Sequence, residues 1–95
     1  MCNIAGYVGE KNAASVLIDM IRLQEGLGGG YFTGLAAHDG KRLQYRKVQG
    51  ELADLLQMTD AATLPGMIGI AHSRTPSGGD SLWAHPFVTE HDGAV

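Results

Sequence analysis

Apolar and polar positions fall along the chain in blocks that predict strands and helices by turns. Residues 4–8 form a short apolar run with Gly6 inside it and Gly9 behind it, which predicts a buried strand. From Ala13 to Gln24 the apolar residues recur at 13, 16, 17, 20 and 21, with 23 near the end, the spacing of one helix face. Ser15, Asp19 and Arg22 share the opposite, wet face, and Asn12 stands where a helix N-cap belongs. A glycine-rich loop over Glu25–Gly30 ends this helix. The loop lies between a helix and a strand and has no lysine and hydroxyl behind it, so it does not meet the requirements of a phosphate cradle.

Two further strands, Gly34–His38 and Arg42–Val48, flank Asp39-Gly40, a dipeptide suited to a tight hairpin. Arg42, Arg46 and Lys47 predict that the second of them has one face in water, and His38 reads as a solvated turn residue. Leu52, Leu55 and Leu56 give Glu51–Met58 helical spacing. After the break at Leu64-Pro65-Gly66, a nearly unbroken apolar strand, Met67–Ala71, leads into His72-Ser73-Arg74-Thr75.

Composition narrows the possible partners. Seven Lys plus Arg against ten Asp plus Glu give a formal charge of −3, and no basic cluster forms a phosphate-binding stripe. Neither nucleic acid nor a membrane is an expected partner. No apolar run approaches the roughly 18 residues of a transmembrane helix, and no secretory leader is evident, which predicts a cytoplasmic protein. One cysteine excludes an internal disulfide. Asp92-Gly93-Ala94-Val95 reads as a turn followed by a strand that stops after two residues, so residues 1–95 are expected to be the truncated front of a longer domain.

The single cysteine is also the candidate chemistry. Cys2 follows the initiator methionine, and ordinary removal of Met1 would leave it as the N-terminal residue. A thiol with a pKa of about 8.5 attacks only as thiolate. An α-amino group, which titrates at roughly 7.7–8.0, lies within reach to take its proton directly or through a water. One residue then supplies both nucleophile and base. The competing assignment is a small apolar core residue, the commonest role of a free cysteine.

The residues around Cys2 decide between these. Met1-Cys2-Asn3-Ile4-Ala5-Gly6-Tyr7-Val8-Gly9 resembles the opening of the class II glutamine amidotransferases, Met-Cys-Gly-Ile-(Ala/Val)-Gly-(Tyr/Ala/Ile)-(Val/Ile)-Gly. Gly69-Ile70-Ala71-His72-Ser73-Arg74 resembles the family's Gly-(Ile/His)-(Ala/Val)-His-(Thr/Ser)-Arg, and Ala84-His85-Pro86 its Asn-Ala-(His/Gln)-Pro. Three places depart from the pattern, one of them Thr75-Pro76-Ser77-Gly78-Gly79-Asp80, which is shorter than the family's Arg-(Trp/Tyr)-(Ala/Ser)-Thr-(His/Gly)-Gly and lacks its aromatic. Asn3 replaces a glycine, which adds a side chain next to the expected reacting centre. Gly29-Gly30-Tyr31-Phe32-Thr33-Gly34 stands where the family has Arg-Gly-(Tyr/Gln/Pro)-Asp-Ser-(Ala/Ser)-Gly.

The resemblance implies an α+β fold, the front of an αββα four-layer sandwich of the N-terminal nucleophile hydrolases, no cofactor, and glutamine as substrate. It makes Cys2 the catalytic nucleophile and Arg74 the fork that holds the α-carboxylate of glutamine. Thr75 and Ser77 become suppliers of hydroxyls to the substrate. It also implies an ammonia-accepting synthase domain or subunit, with the glucosamine-fructose-6-phosphate aminotransferase type favoured and homo-oligomerisation left open. The family's oxyanion donors, an Asn-Gly pair, and its ligand for the substrate ammonium follow Ala94, so little turnover is expected from 95 residues alone.

Two other assignments fit the same sequence: an inactive interaction or assembly piece, and an N-terminal-cysteine hydrolase acting on another amide. His72, His85, His91 and Asp92 show no fixed metal-ligand spacing, and both His72 and His85 are expected to be structural, hydrogen-bonding histidines rather than ligands.

Overall fold

The computed structural model describes residues 2–75 and 84–91. Its elements are β1 (Asn3–Val8), α1 (Ala13–Leu23), β2 (Phe32–His38), β3 (Leu43–Gln49), α2 (Leu52–Met58), a 3-10 turn (Ala61–Thr63) and β4 (Ile68–Arg74). The strands form one sheet in the order β1-β4-β2-β3, with every neighbouring pair antiparallel. This is the predicted α+β class, with the last strand inserted between the first two.

Asn12 caps α1 as its sequence predicts, its Oδ1 accepting the Ala14 N–H at 3.1 Å. Helix α1 then lays Ala13, Ala14, Leu17, Ile18 and Ile21 onto Ala5, Leu35, Ala37 and Ala71 of the sheet. The approach is close because β4 has no side chain at Gly69. A Cβ there would stand 2.9 Å from Leu17 Cδ1 and 2.5 Å from the Ala36 carbonyl oxygen. Helix α2 begins with a reciprocal capping box between Glu51 and Asp54, and its buried Leu52 and Leu55 extend the same core.

The hairpin between β2 and β3 uses the four residues 39–42 rather than a two-residue turn. Asp39 Oδ1 accepts the N–H groups of Lys41 and Arg42 at 2.8 and 2.9 Å, and Gly40 takes the positive φ of 97°.

One expectation fails. The first strand is not buried but lies at a sheet edge, paired among the described residues with β4 alone. Alternation along it puts Ala5 under α1 and leaves Ile4 and Val8 71% and 77% exposed on the other face. A uniformly apolar run does not distinguish an edge strand from a central one, because the difference lies in which neighbours pair with it.

Candidate active site at the edge of the sheet

The two family-like motifs meet at one end of the β1–β4 pair. Asn3 pairs with Ser73 and Ile4 with His72, so Cys2 and Arg74 flank the last rung of the ladder. Strand alternation then sorts the side chains by face. Ile4, His72 and Arg74 share the face away from the helices, and Asn3 and Ser73 share the face beneath α1.

Cys2 is exposed, so it is not the small core residue that its commonest role would make it. Its Sγ lies 3.7 Å from the Thr75 hydroxyl, 73 residues away in sequence. Hydrogen bonding from the Thr75 backbone and side chain holds the thiol below its usual pKa. The little burial it has opposes this, and the Arg74 guanidinium adds a smaller contribution in the same direction as Thr75. Arg74 is only 8% exposed, its guanidinium 5.3 Å above the Phe32 ring and its carbonyl accepting the Tyr31 N–H at 2.9 Å. Three of the four predicted site residues, Cys2, Arg74 and Thr75, therefore converge. Ser77 lies outside the described residues, as do Met1 and Asp92.

Asn3 does not crowd the thiol. Its side chain is 5% exposed on the helix side of the sheet, where Nδ2 donates to the carbonyls of Gln24 at 3.2 Å and Gly28 at 2.9 Å. Beside it runs a line of hydroxyls. Gly30 N–H donates to Ser73 Oγ at 2.8 Å, and Thr33 Oγ1 stands 3.1 Å from Ser73 Oγ. Thr33 gives its single proton to the Gly50 carbonyl at 2.8 Å, so Ser73 is the donor between the two hydroxyls. The altered glycine loop is thus bonded to both strands that carry the site. A cavity of about 280 Å³ opens among Asn3, Glu25, Glu51, Ser73 and the loop.

On the opposite face, residues 84–87 cross the sheet as a strap. Lys47 Nζ donates to the carbonyls of Ala84 at 2.8 Å and Pro86 at 3.1 Å, and it lies within 5.7 and 5.5 Å of the Tyr45 and Phe87 rings. Gly34 makes room for the strap, since a Cβ there would collide with the His85 carbonyl. Lys47 is accordingly not a simple wet-face charge. Sequence reasoning missed this role because its partners lie 37 and 39 positions away.

The histidines also differ from expectation. The rings of His72 and His85 pack edge to face with centroids 4.3 Å apart, and His85 does the same with Phe87 at 4.6 Å. Both Nδ1 atoms are buried without a hydrogen-bond partner among the described residues, and the two rings pack against each other. Burial first, then His85 and Arg74, pushes the His72 pKa down. Among the described residues no three His, Cys, Asp or Glu side chains form a group able to hold a metal ion. No described helix is long and apolar enough to cross a membrane.

Comparison with known proteins adds an independent measure. No family profile matches the chain. It is 38% identical over 97 residues to a glutamine–fructose-6-phosphate aminotransferase [isomerizing] of Thermus thermophilus, covering 100% of this chain and 16% of the relative. The enzyme of the same name from Bradyrhizobium diazoefficiens is 33% identical over 97 residues, with the same coverage of each. The chain thus spans about 16% of the length of these curated relatives.

Among solved structures, the allosteric regulatory enzyme of purine biosynthesis superposes with a TM-score of 0.75 at 24% identity, over 92% of this chain and 19% of that one. Glutamine phosphoribosylpyrophosphate amidotransferase from B. subtilis, complexed with ADP and GMP, superposes with a TM-score of 0.74 at 22% identity, over 97% and 20%. The shared fold, the sequence similarity along the whole chain and the meeting of the two motifs at Cys2 place this chain in the class II glutamine amidotransferase family.

Proposed function

We propose that residues 1–95 are the front portion of a glutaminase domain in which Cys2, freed of Met1, is the nucleophile. The observation that carries this is the seating of an exposed thiol of lowered pKa against Thr75, directly after the buried Arg74. The thiolate attacks the side-chain amide carbon of glutamine, the terminal amine having taken the thiol proton. Collapse of the tetrahedral intermediate breaks the C–N bond as that proton passes to nitrogen, and ammonia leaves. Water then hydrolyses the thioester to glutamate and the free thiol. Arg74 orients the substrate by its α-carboxylate, and the hydroxyls of Thr75 and Ser77 contribute to binding.

The ammonia passes to a synthase domain or subunit, with a sugar phosphate the favoured acceptor given the names of the relatives. An exposed, unpaired thiol suits a reducing, cytoplasmic setting.

Intact-mass measurement after treatment with a diazoketone analogue of glutamine tests the reading. The expected result is loss of Met1 and one adduct at Cys2, blocked by glutamine and lost in Arg74→Ala. Glutamate release is expected from the full-length protein and little from the 95 residues. Retention of Met1 with no adduct, or labelling indifferent to glutamine, overturns it.

A further inference from the structure

The Asn3 carboxamide has two N–H donors, and both are used on one loop, at the Gln24 and Gly28 carbonyls. The same loop reaches the neighbouring strand. Gly30 N–H donates to Ser73 Oγ, and Gly29, at a φ of 74°, lies so close that a Cβ on it would stand 2.7 Å from that oxygen and 2.8 Å from the Ser73 carbonyl. Asn3 and Ser73 are themselves partners across the β1–β4 ladder. Just beyond that rung, at the same end of the ladder, stand Cys2 and the Arg74-Thr75 pair, with Sγ of Cys2 3.7 Å from Oγ1 of Thr75. The loop is therefore a brace that spans the rung from below while the thiol and its donor meet beyond it.

We infer that Asn3 is a positioning residue for Cys2, its carboxamide holding the 24–30 loop against Ser73 and thereby fixing Thr75 beside the thiol. The inference rests on the reading of Cys2 as the nucleophile. It reverses the simplest interpretation of the departure from glycine at position 3. Restoring glycine should weaken the site of this chain, because two loop carbonyls lose their donors and the side chain's volume opens into the adjoining cavity.

The experiment compares wild type with Asn3→Gly and with Asn3→Asp, which keeps the shape but presents a carboxylate to two carbonyls and donates nothing. Since Cys2 is the only cysteine, its alkylation by iodoacetamide can be followed across pH without ambiguity. Both variants are expected to raise deuterium uptake in the peptide covering 24–30 and to move the alkylation profile to higher pH. A rise of about half a unit would slow the reaction about threefold well below the thiol pKa while leaving the high-pH plateau unchanged.

An unchanged profile in both variants overturns the inference, even if loop exchange rises. Loss of protection throughout β2 and β3 in both variants overturns it equally, since Asn3 would then be a general core residue. Wild type that is alkylated normally but gains no protection from glutamine counts against the glutaminase reading alone and leaves the comparison at position 3 intact.

Discussion

Lys47 and Pro86 are joined across the sheet by a 3.1 Å hydrogen bond from Nζ to the carbonyl oxygen, and the same ammonium holds the Ala84 carbonyl at 2.8 Å. One side chain thus anchors the segment that carries the second half of the family-like motif. Lys47→Met keeps most of the apolar stem and removes both bonds. It should cost about 1.5–3 kcal/mol, the range for hydrogen bonds made by charged groups, and urea unfolding will read it. Raised deuterium uptake should be confined to 84–88, and Lys47→Arg should recover part of the loss.

Gly69 tests the seating of the helix on the sheet. Its Cβ position lies against Leu17 and the Ala36 carbonyl, and one of these is backbone that cannot swing aside. Gly69→Ala is expected to destabilise the fold by about 1–3 kcal/mol through overpacking. Leu17→Ala, which empties a fully buried position, should cost about 2–5 kcal/mol. Chemical denaturation of both variants is the measurement, and a double variant that costs less than the sum would place the two in one contact.

Thr75 governs the thiol. Its hydrogen bonds favour the thiolate, so the reactive fraction of Cys2 at neutral pH exceeds that of an ordinary cysteine. Thr75→Val removes the hydroxyl and leaves the backbone. The pKa should rise towards the ordinary value, with slower alkylation at about pH 7 and an equal rate at high pH. Because the folded pKa is depressed, the associated stabilisation is present above the unfolded pKa and is lost as pH falls through the folded one.

His72 gives the opposite pH dependence to that of a paired histidine. Burial, and then the neighbouring His85 and Arg74, disfavour its protonation, so the unfolded chain takes up a proton before the folded one does. Stability should decline as pH drops below about 6.5 and level off only beneath the lowered folded value. His72→Phe preserves a ring for the His85 contact and should flatten that part of the curve, as thermal melts between about pH 7 and 5 would show.

Much of this was legible in local pattern. The Asn12 cap and the apolar stripe of α1 follow from residues adjacent in sequence and stand where they were expected; the hairpin at Asp39-Gly40 and the last strand also form, but with a four-residue loop and with β4 running past Ala71 to Arg74. The edge position of β1, the strap under Lys47 and the stacked histidines depend on residues dozens of positions apart, about which periodicity is silent. Asn3 lies between the two cases. Being next to Cys2 in extended chain, it had to point the other way, but that the other way lies under α1 is given only by the fold. Proximity to the thiol along the chain is a poor guide here, because it carries no direction.

The pairing of β1 with β4 carries a consequence larger than its few rungs suggest. Sliding one strand past the other by a single residue would roll the sulfur underneath the helix and turn an amide outwards in its stead. Whether this molecule presents its one thiol to solvent at all is thus decided by an odd-or-even count along six residues at the rim of the sheet. The small apolar residue Ala5, pinned beneath α1, is the tooth that keeps the count.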